Sequence, residues 1–235
     1  MNLCILIPAY NEEQNLSSTI NNIYTTLTEA EINHNILVIN DHSSDESESV
    51  LLHLIISIPT LTYINNSYKR GFGNAIRFGL DNWEGDIVAI MMADASEDPK
   101  DVVNYYKELN QKNIDCIFGS RFIKGSIVNN YPPFKLFCNR IFNSLLRIFI
   151  ERNLNDFTNA FKAYRRDVID NCKPYTSENF SLTIEIPLKA LKKGYTYSVI
   201  PISWTNRKFG YSKYGILQNF PSYFKILKLY LTNKM

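Results

Sequence analysis

Leu3-Cys4-Ile5-Leu6-Ile7-Pro8-Ala9-Tyr10-Asn11-Glu12-Glu13 decides the fold. A half-exposed strand alternates apolar with polar residues, so the unbroken apolar run from Leu3 to Ile7 predicts a strand covered on both faces. Pro8 lacks a backbone donor and is expected to end the ladder. From Glu12 to Glu31 the period changes. Leu16, Ile20, Ile23, Tyr24 and Leu27 recur at helical spacing, so the strand feeds a helix that lays one apolar stripe on a core.

The same unit repeats along the first half. Strands are expected at 36–39, 61–64, 86–91 and 114–118, and helices at 45–56, 73–83 and from about Pro99, a residue suited to a first helical turn. Buried strands alternating with helices imply an α/β fold, mainly a parallel sheet with helices on both faces. Ligands of such sheets bind beyond the carboxyl ends of the strands. The second half is less regular. Helices are expected at 131–152, 178–193 and 216–231, and a strand at 195–199. There is no internal repeat or long linker, so residues 1–235 read as a single domain.

Composition bounds the function. With 45% hydrophobic and 20% charged residues the chain resembles an ordinary soluble globular protein. A net charge of +2 gives no reason to expect nucleic acid as a partner. Cys4, Cys116, Cys138 and Cys172 form no CxxC pair and have no His at metal-ligand spacing, which points to a reducing compartment and no structural zinc. Met1 leads straight into the first strand, so no signal peptide is expected, and no apolar run reaches the roughly 20 residues of a membrane span. A cytoplasmic location is therefore expected.

Four loops follow the first four strands and bring polar residues to one sheet edge. In the first, Tyr10 can stack on a base or ribose and Glu12 can accept hydrogen bonds, although an acidic first helical turn would look the same. In the second, Asn40-Asp41-His42-Ser43-Ser44-Asp45, the Asp41 carboxylate can take donors from a base ring or ribose, while Asp45 suits a helix cap. In the third, Tyr68-Lys69-Arg70-Gly71-Phe72-Gly73, the glycines allow a close turn, and the helix start with its basic pair suits a diphosphate. In the fourth, Met92-Ala93-Asp94-Ala95-Ser96-Glu97-Asp98, Asp94 is placed to hold a divalent ion such as Mg²⁺, which commonly needs only one or two carboxylates. Glu97 and Asp98 read equally well as an acidic helix start, the reading favoured for Asp98.

These loops, in this order, resemble the family-2 glycosyltransferases of the GT-A fold, a Rossmann-like α/β fold. Pro8-Ala9-Tyr10-Asn11-Glu12 looks like the opening motif, and Arg70-Gly71-Phe72-Gly73-Asn74-Ala75 matches the glycine turn. Met92-Ala93-Asp94 stands where the Asp-x-Asp metal motif lies, with Met92 in place of the first acid. Asn40 and His42 replace an acid and a glycine of the second loop. Gly119-Ser120-Arg121-Phe122, Asp156 to Arg166, Glu185, Pro201 and Arg207 to Lys213 are similar to the dolichol-phosphate mannose synthase branch.

The resemblance implies inverting transfer of mannose or glucose from a nucleotide diphosphate sugar, GDP-mannose or UDP-glucose, to a polyprenyl phosphate. It implies a nucleotide-sugar half at 1–120, an acceptor-side half at 121–215 and a C-terminal helix at 216–235. Donor contacts fall on Pro8, Tyr10, Glu12, Ile39, Asp41, Gly71, Ala93 and Ser96. Asp94 holds Mg²⁺ or Mn²⁺, and Arg121, Arg207 and Lys213 reach phosphate groups.

The chemistry agrees. A polyprenyl phosphate is already an anionic nucleophile at neutral pH and needs no general base, but it needs cations to approach an anionic donor. Arg121, Arg165, Arg166, Arg207 and Lys213 are available, though Arg165-Arg166 also reads as a solvated helix start and is kept out of the core site. A transferase acting on a glycan hydroxyl is the alternative. It would need a base, and Asp156 and Glu185 are the candidates. A nucleotide-sugar-binding pseudoenzyme is a second alternative, supported by Met92. The segment from Pro133 to Ile150 has ten large apolar residues beside Lys135, Arg140 and Arg147 and no acid, and the last helix is similar. Both suit the interface of a bilayer, so peripheral contact with the cytoplasmic membrane face is expected, although packing on the sheet or a dimer face would use the same residues.

Overall fold

The computed structural model describes residues 1–207, 209–210 and 216–235, with 216–218 described by backbone alone. The first half alternates as its periodicity predicts: β1 Leu3–Ala9, α1 Glu13–Glu29, β2 His34–Asn40, α2 Ser47–Ser57, β3 Leu61–Asn65, α3 Phe72–Asn82, β4 Ile87–Ile90, α4 Pro99–Gln111 and β5 Cys116–Ser120. The second half follows as β6 Ile127–Asn129, α5 Pro133–Phe149, β7 Lys162–Arg165, α6 Arg166–Asn171, α7 Leu182–Lys192, β8 Tyr197–Pro201, β9 Ser203–Thr205 and α8 Ile216–Leu231.

Seven strands form one sheet in the order β3-β2-β1-β4-β7-β5-β8, and β6 pairs with β9 in a small second sheet. β1, β2, β3 and β4 run parallel, as do β5 and β8. Only β7 runs against its neighbours β4 and β5. β1 continues past Pro8 to Ala9, whose carbonyl accepts from the Asp41 N–H at 2.7 Å, so the missing proline donor does not stop the ladder.

The pleat sorts strand residues between two cores. Leu3, Ile5, Ile7, Ile36 and Val38 face α1, α2 and α4, where Leu16, Ile20, Leu51, Val102 and Leu109 are buried. Cys4, Leu6, Leu37 and Ile39 face the opposite layer, which holds Ile76 and Leu80 of α3, Phe142 of α5, Leu182 of α7 and Tyr223 of α8. Each such Leu or Ile contributes roughly 1.5–3 kcal/mol on burial.

Two expectations for the second half change. Lys162–Arg165, read as part of a motif, is the antiparallel strand β7. Arg165 and Arg166 do stand at the start of α6, as expected, but their guanidinium groups are not simply solvated. Arg165 donates to the carbonyls of Ile114 at 2.8 Å and Leu109 at 2.7 Å, and Arg166 donates to Gly85 O at 2.7 Å. The Arg166 guanidinium also lies 4.0 Å over the Trp83 ring. Both arginines therefore close the end of the sheet away from the loops of interest.

Candidate active site

The carboxyl ends of β1, β2 and β4 make a cleft lined by Pro8, Ala9, Tyr10, Glu12, Asp41, Phe72, Met92, Ala93 and Arg207. Asp41 is nearly fully buried at its floor. Its Oδ1 accepts from the Asn66 amide at 2.7 Å and its Oδ2 from the Gly71 N–H at 3.0 Å. Tyr10 stands at the rim, where the Arg70 guanidinium lies 5.1 Å from its ring centroid and donates to its hydroxyl at 3.1 Å. His42, at a position expected to carry glycine, has φ 61, a left-handed conformation His tolerates better than most residues. Asp45 stands one residue before the cap position of α2, Glu46, and accepts from the first helical N–H, Ser47, at 3.0 Å.

The start of α3 differs from its expected role. The N–H groups of Gly73 and Asn74 donate to the Glu178 carbonyl at 3.1 and 3.3 Å. A helix N-terminus that could take a diphosphate is thus filled by the chain's own segment before α7. The glycines do serve close approach, but the approaching group is protein backbone. Ile39 departs too: its side chain lies in the core against α3, near Gly79, and does not line the cleft.

Asp94 and Ser96 line the wall of a neighbouring, larger cavity. Asp94 Oδ1 accepts from Ser96 N at 3.1 Å. Its Oδ2 accepts from Arg207 at 2.6 Å, and the same guanidinium reaches Glu12 Oε1 at 3.1 Å. Arg207 follows β9, which is anchored to the Asp94 loop because the Thr205 N–H donates to Ser96 O at 2.8 Å. Among the described residues no group of three His, Cys, Asp or Glu side chains could hold a metal. Asp94 fits a divalent ion only as one carboxylate in a shell completed by phosphate oxygens and water, a pattern Mg²⁺ accepts.

The larger cavity runs from Asp94 to α5 and α8 and collects cations. Arg121 forms a two-pronged ion pair with the fully buried Asp156, Nε to Oδ2 at 2.8 Å and Nη2 to Oδ1 at 2.7 Å. Burial works against the guanidinium charge, but Asp156 more than reverses this and raises its pKa. Lys135, on the first turn of α5, points into the same space. Burial lowers its pKa, and the positive charges of Arg121 and Arg207 lower it further. Lys135 was legible only as one charge of an amphipathic helix. Its convergence with Arg121 and Arg207 is tertiary. Lys213 lies outside the described residues.

Neither candidate base is available. Asp156 is consumed by Arg121. Glu185, also buried, accepts from Thr176 N at 2.8 Å and Ser177 N at 2.7 Å and pairs with Lys189 at 3.1 Å. Although burial favours its neutral form, these hydrogen bonds hold its carboxyl below the ordinary value.

Glu97 is the carboxyl of this cavity that burial shifts most. It accepts from the N–H of Met92, the residue in place of the motif's first acid, at 2.8 Å. Burial pushes it from 4.5 up to about 8, despite the Met92 bond, and the charge of Asp94 adds to the rise. A folded value above the unfolded one means the bound proton stabilises the fold at low pH. That contribution is lost as pH rises from 4.5 through about 8. Glu97→Gln is expected to flatten this dependence, raising the Tm more at about pH 9 than at about pH 5. Equal shifts at both pH values would show that Glu97 is ionised throughout.

One exposed surface adjoins the cavity. Phe134, Phe137, Ile141, Leu145 and Ile148 form a solvent-facing apolar stripe along α5. The opposite face of α5 is tied down by Phe142, stacked 5.1 Å from Tyr223 of α8, and by the buried Asn143, which accepts from Phe157 N at 2.6 Å. No helix among the described residues is long and apolar enough to cross a membrane.

The chain is 27% identical over 216 residues to the polyprenol monophosphomannose synthase of Mycolicibacterium smegmatis, covering 89% of this chain and 79% of that protein. It is 24% identical to the undecaprenyl-phosphate mannosyltransferase of Micrococcus luteus, covering 91% and 87%. Among solved structures, glucosyl-3-phosphoglycerate synthase from Mycobacterium tuberculosis, in complex with Mn²⁺, UDP and glucosyl-3-phosphoglycerate, shares the fold. Its TM-score is 0.71 at 14% identity, covering 99% of this chain and 79% of that one. The family model for glycosyl transferase family 2 matches residues 4–172, and with the sheet order and the loops at its carboxyl edge this makes the chain a family-2 glycosyltransferase.

Proposed function

We propose that this glycosyltransferase moves a hexose, mannose or glucose, from a nucleotide diphosphate sugar to a polyprenyl phosphate with inversion at the anomeric carbon. The observation that carries this reading is the cavity beside Asp94, which gathers Arg121, Lys135 and Arg207 while Asp156 and Glu185 are both engaged. Such a site suits an acceptor that is already an anion and does not suit a hydroxyl in need of a base. The names of the two mannosyltransferase relatives agree with it.

In this reading the nucleoside lies in the cleft between Pro8, Tyr10, Glu12 and Asp41, and its diphosphate reaches toward Ala93, Asp94 and Ser96. A divalent ion, Mg²⁺ or Mn²⁺, held by Asp94 would neutralise charge on the departing diphosphate. Arg121 and Lys135 hold the acceptor phosphate with an oxygen toward the anomeric carbon. That oxygen forms the new glycosidic bond as the bond to the nucleotide diphosphate breaks. Orientation and charge neutralisation supply the catalysis, and no proton has to leave the nucleophile.

The acceptor's lipid calls for a membrane. The apolar stripe of α5, flanked by Arg140 and Arg147 and free of acids, lies against the headgroup region, and the protein docks peripherally with its cavity facing the lipid.

Transfer from radiolabelled GDP-mannose and UDP-glucose to an extractable polyprenyl phosphate tests the reading and identifies the donor. Lys135→Met is expected to raise KM for the lipid about tenfold or more, the loss of one charge-assisted phosphate contact, with KM for the donor little changed. Transfer to a glycan acceptor without transfer to any polyprenyl phosphate would overturn it.

A further inference from the structure

We propose that Arg207 is the resident cation of the Asp94 site, holding the place of a divalent ion until the donor arrives. The inference rests on the reading of Asp94 as the metal ligand. Arg207 bridges two carboxylates that belong to different loops, Asp94 at 2.6 Å and Glu12 at 3.1 Å. It also lines both the nucleotide cleft and the acceptor cavity, so it stands at the junction where a diphosphate would end.

The charge count explains why the two cations exclude each other. Met92 stands in place of the motif's first acid, and Glu97, another carboxyl of that loop, is turned to the Met92 N–H, so Asp94 is the carboxylate of that loop that meets Arg207. Both of its oxygens are engaged, one by Ser96 N and one by Arg207. A divalent ion entering beside Arg207 would set three positive charges against Asp94 and Glu12 in a largely buried place, where like charges repel strongly. A nucleotide diphosphate changes the balance. It brings the anionic oxygens that complete an ion's shell, and it offers the guanidinium a two-pronged phosphate partner in exchange for Asp94. Donor and ion therefore bind together, and their arrival turns Arg207 from Asp94 toward phosphate. Ion binding without donor is weak because Arg207 already occupies Asp94.

Mn²⁺ alone, titrated into the full chain and followed by the electron paramagnetic resonance of the free ion, tests this directly. Wild type is expected to bind weakly and to tighten when GDP or UDP is added. Arg207→Gln is expected to bind Mn²⁺ without nucleotide about tenfold more tightly or better, the release of one charge-assisted pair. Arg207→Met, which removes the same charge with an apolar side chain, is expected to shift affinity the same way. It serves as the second variant should Arg207→Gln fail to fold. Affinity for Mn²⁺ alone that stays at the wild-type level in both variants would overturn the proposal. If Asp94→Asn still abolishes nucleotide-dependent Mn²⁺ binding in that case, the metal reading survives. A gain in Arg207→Gln that persists after adding Asp94→Asn would overturn both.

Discussion

Arg121→Met is expected to abolish transfer and to lower stability by about 3–5 kcal/mol, because it strands the buried Asp156 carboxylate without its cation. Asp156 is fully buried, and Arg121 supplies both of its side-chain partners, at 2.7 and 2.8 Å. The backbone N–H of Arg121, at 3.1 Å, is too little to carry a buried charge alone. Chemical denaturation measures the loss. Adding Asp156→Asn to Arg121→Met should restore much of the stability, since the stranded charge is gone, while transfer stays lost because the phosphate has lost its cation. Activity that returned with stability would mean Arg121 serves the fold and not the acceptor.

Gly73→Ala is expected to be as damaging from a position that touches no substrate. A Cβ there would lie 2.5 Å from Ser177 O, 2.7 Å from Asn179 N and 2.7 Å from Asn179 O. All three are backbone atoms, so no side chain can swing aside. The cost is about 3 kcal/mol or more, at the upper end of overpacking. The damage should spread to the nucleotide cleft, because the same turn presents Gly71 N to Asp41. Donor affinity measured by calorimetry is therefore expected to fall along with the Tm. Gly194→Ala is the contrast. Its added Cβ meets nothing within 4 Å, so it should cost only the strain of φ 78, about 1–2 kcal/mol. Equal losses in the two variants would refute the docking of the segment before α7 onto α3.

Much of this was legible in the sequence for a definite reason. Strands covered on both faces read as unbroken apolar runs, so β1, β2 and β4 could be placed, and with them the loops that carry Asp41 and Asp94. β7 escaped because it is four residues long and begins with Lys162. A lysine argues against a buried strand unless its charge has partners, and those partners are carbonyls of Phe157, Asn159 and Thr183 that no local pattern reveals. Arg165 and Arg166 looked like spare cations for the same reason: their acceptors, Ile114, Leu109 and Gly85, are distant in the chain. Lys135 shows the reverse error. Its helix announced a membrane face, and the period hid that one of its charges turns inward toward Arg121. Periodicity reports the environment of an element. The partner of a single charged side chain is a tertiary fact.

The pairing of Arg207 with Asp94 was equally hidden, and it alters how the metal position is understood. Asp94 with Met92 beside it looks like a weakened metal motif. Under the proposal for Arg207 it is a neutralised one, its cation supplied by the chain until a donor brings another.

In the proposed function the cavity beside Asp94 is built for an acceptor that arrives as an anion. Rates of hexose transfer to a polyprenyl phosphate and to the matching polyprenol, with the same donor and the same vesicles, test it most directly. The phosphate should be the sole substrate of the two, because Arg121 and Lys135 would meet no charge on the alcohol and neither Asp156 nor Glu185 can take its proton. Comparable transfer to the polyprenol would contradict the account and require a base that these contacts do not provide.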